Sequence, residues 1–195
     1  FEVNAAGDEF FLPDSAQFYF ADLLGVKYLR YVPNVGHNLG GSYTAQLKAY
    51  YQSALFNTPL PQFSWSLESS NTVRVVAADL PTEAKLWQAT NSVARDFRLG
   101  TPGVTWQSST LTDGGSGVYL GTVTVPPAGW KACFVELTYT RSGGLAPLIF
   151  TTQVLNDDGG ASISTCQRDH RGSQPERKPE SFHPRARLRQ PPAFA

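Results

Sequence analysis

The sequence predicts an α/β segment, then an immunoglobulin-like antiparallel β-sandwich, then a disordered tail. Three observations predict this. Strand-like and helix-like patterns alternate up to about residue 62. Short period-2 segments between turn residues then run to about 158. Beyond that, apolar periodicity stops.

In the first region Phe1–Asn4 reads as a short strand. Ser15–Leu24 reads as a helix, with Asp14 as its N-cap, Gln17 at the reciprocal position and Pro13 just outside. Lys27–Val32 (KYLRYV) reads as a second strand, followed by a loop from Pro33 to Gly41. A helix from about Ser42 to Phe56 is predicted because Tyr43, Leu47, Tyr50, Tyr51 and Leu55 recur near helical spacing. Asn57–Gln62, with Pro59 and Pro61, breaks it and reads as a linker.

In the second region seven short strands are expected, at Phe63–Glu68, Thr72–Ala78, Ala84–Ala89, Trp106–Leu111, Val118–Val125, Ala132–Thr140 and Leu148–Val154. The expected core includes Trp87, Trp106, Val123, Phe134, Val135 and Phe150. Both Phe134 and Val135 belong in it because a strand covered on two faces buries neighbouring residues. Cys133 alternates with Val135, Leu137 and Tyr139 and reads as a buried thiol. All four tryptophans, 65, 87, 106 and 130, fall in this region and read as core anchors before sugar-stacking platforms. The sequence divides at 1–62, 63–158 and 159–195. The last piece holds seven Lys/Arg, three Asp/Glu and five Pro, too little apolar surface to offset its chain entropy. Cys166 lies there, and an anionic partner or an unselected end would both suit its basic excess.

Lys+Arg and Asp+Glu are both 16, so the formal net charge is zero. A nucleic-acid partner calls for a basic face, and this balance offers no support for one. No apolar run reaches the roughly 18 residues of a membrane span. Two cysteines without ligand spacing suggest no metal, and nothing suggests a cofactor. There is no methionine, and Phe1 already reads as strand, so the sequence reads as a fragment or a processed product.

The chemistry-bearing residues sit on two loops. Gly7–Asp14 (GDEFFLPD) follows the first strand, and His37 follows the second. The C-terminal ends of parallel strands are the usual ligand edge of an α/β sheet. A carboxylate beside a histidine fixes its tautomer and stabilises its protonated form, so that it can act as base to a hydroxyl. Asp8 and His37 are therefore the candidate catalytic pair, with Glu9 as the fallback acid. Asp14 reads as a cap. A turn-closing aspartate and an ordinary loop histidine are the bland alternatives. No nucleophile is evident: Gly115-Ser116-Gly117 lies between strands, and Ser42 reads as an N-cap. In hydrolases ordered Ser, Asp, His the serine would precede Phe1, so these residues alone should be inactive.

Several motifs together resemble one family. They are GDEFFLPD (7–14), KYLRYVPN (27–34) with His37, LWQATN (86–91), ARDFR (94–98), and Gly129-Trp130 with FVELTY (134–139). In this order they resemble the PhoPQ-activated pathogenicity-related family over roughly residues 1–156. The resemblance implies an α/β-hydrolase-like domain, of which residues 1–62 would be the C-terminal part, followed by a β domain. It also implies an exported bacterial protein tied to envelope stress and virulence, with secreted growth repressors among amoebal relatives. Two functions follow as expectations. One is a serine hydrolase of ester or peptide type, with a small-molecule or peptide substrate, to which Asp8 and His37 contribute acid and base. The other is a binding or signalling protein without turnover. Within the β region, Arg95 and Arg98 around Asp96 read as a structural ion pair or as a patch for an anionic ligand.

Overall fold

The computed structural model describes residues 1–41, 43–69, 71–124 and 126–157. Ser42, Val125, Asp158, Cys166 and the expected disordered tail 159–195 lie outside them.

The β region follows the sequence pattern closely. The seven anticipated strands are β3 (Phe63–Ser69), β4 (Thr72–Ala77), β5 (Glu83–Asn91), β6 (Gln107–Thr110), β7 (Val118–Thr122), β8 (Trp130–Tyr139) and β9 (Leu148–Thr151). A further short strand, β10 (Leu155–Asp157), had no sequence signal of its own. Strands β3, β4 and β7 form an antiparallel three-stranded sheet. A five-stranded sheet runs β10-β8-β5-β6, with β9 also on β8. β9 and β10 occupy successive stretches of one edge of β8. Between them Thr152 replaces a ladder bond: its hydroxyl accepts the Val135 N–H at 3.0 Å, and its own N–H donates to the Val135 carbonyl at 2.9 Å.

β8 explains the architecture. Cys133, Val135, Leu137 and Tyr139 join a core with Val73, Val75, Tyr119 and Val123 of the smaller sheet. The alternate residues Ala132 and Phe134 join a second core with Ala6, Ala16, Phe20, Leu29, Tyr31 and Trp106. A strand covered on both faces loses its polar alternation, and β8 is buried almost continuously from Ala132 to Leu137. Of the expected core residues, Trp106, Val123, Phe134, Val135 and Phe150 are buried, and Trp87 packs partly buried at the edge.

The second cover is the N-terminal region, and here the sequence expectation fails. Residues 1–62 do not show the strand–helix alternation of an α/β-hydrolase-like domain. Strands β1 (Glu2–Ala5) and β2 (Leu29–Val32) form a parallel pair of two strands only. The described residues hold a single α-helix, α1 (Thr44–Leu55), and are otherwise mostly sheet, which fits a β-sandwich. The helix expected at Ser15–Leu24 is two short 3-10 turns, Ser15–Phe18 and Phe20–Asp22, interrupted at Tyr19 (φ −137°). Its apolar residues do not form one stripe: Ala16 and Phe20 are buried, whereas Phe18, Leu23 and Leu24 are exposed. Only that i, i+4 pair reaches the core.

In α1 the expected stripe is also mostly exposed, at Leu47, Tyr51 and Leu55, and the buried positions are Ala49 and Ser53. Tyr50 is drawn in by stacking on Phe1, with ring centroids 4.6 Å apart. The helix ends in a left-handed residue, Asn57 (φ 49°), with Thr58 N–H bonding Ser53 O and Asn57 N–H bonding Ala54 O. β2 is fastened to the five-stranded sheet from Tyr31 N–H to Thr151 Oγ1 (3.0 Å) and by a buried ion pair between Arg30 and Glu136.

Candidate functional site

β1 and β2 run in register, Ala5 opposite Val32, so the chain leaves both at the same end. Ala6 N–H bonds Val32 O at 2.8 Å, and Gly7 N–H bonds Val35 O at 3.1 Å. These bonds carry the two loops side by side past the strands. Gly7 also accepts from Leu99 N–H at 2.8 Å, so a third loop meets the first two there. A Cβ on Gly7 would lie 2.9 Å from both Leu99 N and Val35 O, so this crossing admits no side chain.

The loops place the sequence-predicted pair together. His37 Nδ1 lies 3.1 Å from Asp8 Oδ2 and 3.2 Å from Oδ1. The Asp8 side chain is 8% exposed and that of His37 46%. Asp8 Oδ1 also accepts the N–H groups of Phe10 (2.8 Å) and Phe11 (2.9 Å). Burial pushes the Asp8 carboxyl up, but the Phe11 and Phe10 N–H groups and His37 outweigh it and hold the carboxyl below its ordinary value. Asp8 is thus an ionised acceptor fixed on its own turn. The Phe10 and Phe11 rings, both largely exposed, flank the imidazole at centroid distances of 5.1 and 5.4 Å.

Glu9 does not reach the ring. Its Oε2 accepts the backbone N–H of His37 at 3.1 Å. Asp14 makes no capping bond. Buried, it pairs with Arg95 and receives Gln17 Nε2 at 3.2 Å. Arg98 and Asp96 form a bidentate pair inside their own loop, Nε to Oδ1 at 2.8 Å and Nη2 to Oδ2 at 2.7 Å. The Arg98 side chain is the first cause that holds Asp96 down at about 2. Ser116 lies in the loop between β6 and β7, where Asp113 Oδ1 accepts the N–H groups of Gly115, Gly117 and Val118. Among the described residues no group of three or more His, Cys, Asp or Glu is arranged to hold a metal ion. No helix among them is long and apolar enough to cross a membrane.

Sequence reasoning missed two supports. Asn34, in a left-handed turn (φ 55°), brackets Trp106: its Nδ2 donates to Trp106 O at 2.9 Å and its Oδ1 accepts Trp106 N–H at 2.8 Å. The Trp106 indole donates to Ala6 O at 3.1 Å, so one tryptophan ties both loops to the sandwich. The other is the Glu9 bond to the His37 backbone. The partners are remote in sequence, and only Asn34 after Pro33 carried a local hint, as a turn signal.

Residues 1–98, which include Asp8, His37, Asp96 and Arg98, match the family model described as PhoPQ-activated pathogenicity-related protein. Autocrine proliferation repressor protein A of Dictyostelium discoideum is 32% identical over 162 residues, covering 71% of this chain and 33% of that protein. The chain therefore spans about a third of the length of that relative. No solved structure matches the chain. With half of its length matched by the family model, the chain belongs to the PhoPQ-activated pathogenicity-related protein family.

Proposed function

We propose that Asp8 and His37 are the acid and base of a hydrolytic site for ester or peptide bonds. The observation that carries this reading is the contact of His37 Nδ1 with both Asp8 oxygens beneath a half-exposed ring. With Nδ1–H donated to Asp8, the lone pair of the neutral imidazole sits on Nε2. Nε2 then takes the proton of a hydroxyl as its oxygen attacks the carbonyl carbon. The resulting imidazolium is stabilised by Asp8 and passes the proton to the leaving group. Asp8 suits this because its turn N–H groups keep it ionised and aimed. The hydroxyl nucleophile of this reading belongs to the part of a longer family member that this chain does not span.

The test uses a family member of the repressor's length and 4-nitrophenyl acetate. Alanine at the position matching His37 should lower kcat/KM by roughly 10³-fold or more, as for removal of a triad base. An unchanged rate in a folded variant overturns the proposal. A second reading, binding or signalling without turnover, is supported by the relative's description as a proliferation repressor. It predicts that repression survives the same substitution.

A further inference from the structure

A cleft of about 330 Å³ is lined by Glu9, Asp96 and residues 98–102. Glu9 borders this cleft and the histidine loop at once, since its Oε2 accepts the His37 N–H. The loop approaches it with bare backbone: a Cβ on Gly36 would stand 2.7 Å from that oxygen. The charges around the cleft do not balance. Arg98 is paired with Asp96 through two of its N–H groups, so the two charged residues that this loop contributes to the cleft lining cancel. Among the described residues Glu9 has no ion-pair partner, only the neutral His37 N–H. Exposed Leu99, with Pro102, adds an apolar wall.

We propose that this cleft is the ligand subsite of the Asp8–His37 pair and that it takes the cationic end of a partly apolar ligand, an ammonium or guanidinium group, on the Glu9 carboxylate. A carboxylate with one neutral donor has lone pairs left for charge-assisted hydrogen bonds, which are the strong ones. An anion is disfavoured, because the charge of Arg98 is already balanced by Asp96 in the bidentate pair, and a further anion would sit beside two carboxylates, Glu9 and Asp96. The shared Oε2 also couples the two places, since a cation drawn to it alters the hydrogen bond of the His37 amide. Only the assignment of the cleft to the Asp8–His37 pair rests on the acid–base reading; the cation site on Glu9 does not.

The experiment titrates benzylammonium, benzyl alcohol and phenylacetate into the ¹⁵N-labelled 195-residue chain and follows backbone amides. Benzylammonium should give saturable shifts at His37 and at residues 99–101, weakening as salt is raised. Glu9→Gln should reduce its affinity about tenfold, the loss of one charge-assisted contact. Equal affinity for benzyl alcohol and benzylammonium overturns the proposal on the unaltered chain, without any substitution. Tighter binding of phenylacetate overturns it in favour of an anion on Arg98, and no saturable shift overturns it outright. The outcome is separable from that of the acid–base reading. Benzylammonium binding beside a longer family member indifferent to loss of its histidine leaves the subsite and removes the chemistry. Histidine-dependent turnover there, without benzylammonium binding here, does the reverse.

Discussion

Gly7→Ala puts the crossing of the three site loops under direct strain. The added Cβ would lie 2.9 Å from Leu99 N, 2.9 Å from Val35 O and 3.2 Å from Leu99 Cβ. Two of these neighbours are backbone atoms and cannot swing aside. Forcing a methyl into such a contact costs about 1–3 kcal/mol. The shift that relieves it acts on the two hydrogen bonds through Gly7, at 3.1 and 2.8 Å, and weakening both adds about 1–2 kcal/mol. Alanine also restricts the unfolded chain, which returns about 0.4–1 kcal/mol. The expected net loss is about 3 kcal/mol. Urea denaturation followed by tryptophan fluorescence measures it. Gly25→Ala is the control: nothing lies within 4 Å of its Cβ, so the strain of φ +79°, about 1–2 kcal/mol, is offset only by the same unfolded-chain gain. A Gly7→Ala chain as stable as the wild type, or less affected than Gly25→Ala, would refute the crossing.

Other outcomes follow from the same structure. Asp8 has a folded-state pKa below its ordinary 3.8, so its contribution to stability is complete above that value and is lost as pH falls below it. The urea midpoint should decline on acidification between about pH 5 and 2, and Asp8→Asn should flatten that decline. Arg30 and Glu136 are both buried, so Glu136→Ala leaves a buried cation unpaired and should cost about 3–5 kcal/mol. The double replacement Arg30→Met with Glu136→Leu should recover most of this, and equal losses in the single and double variants would contradict it. Residues 63–158 alone should keep a β-type circular dichroism spectrum but melt well below the whole chain, because Phe134 loses the cover of Leu29 and Tyr31. An unchanged melting temperature would show that this cover contributes nothing.

The strands were legible because their evidence is local. In β4 the inward residues Val73, Val75 and Ala77 alternate with half-buried ones, and period 2 reports which face is covered. β8 was legible for the opposite reason: a run such as Ala132–Leu137 has no polar alternation unless both faces are covered. What covers the second face was not legible. Residues 1–62 carry strand and helix signals that suit an α/β layer, yet they fold as a two-strand flap and one helix against an existing sheet. Tyr31 bonding Thr151 and Arg30 pairing with Glu136 decide this, over separations that no local pattern encodes. The capping signature at Asp14 misled for the same reason. A remote guanidinium, that of Arg95, takes the carboxylate the helix start would have used. At the site, strand ends and loop lengths sufficed to pair Asp8 with His37. Glu9, held only as the fallback acid, bonds the His37 backbone N–H, a contact with no signal in the sequence.

The proposed acid–base role requires Asp8 to hold the imidazole so that Nε2 is the free base. Long-range ¹H–¹⁵N correlation of His37 in this chain, at a pH where the ring is neutral, reads that directly. The Nδ1–H tautomer is expected in the wild type and should be lost in Asp8→Asn. An Nε2–H ring in the wild type, or a tautomer indifferent to Asp8→Asn, would contradict it.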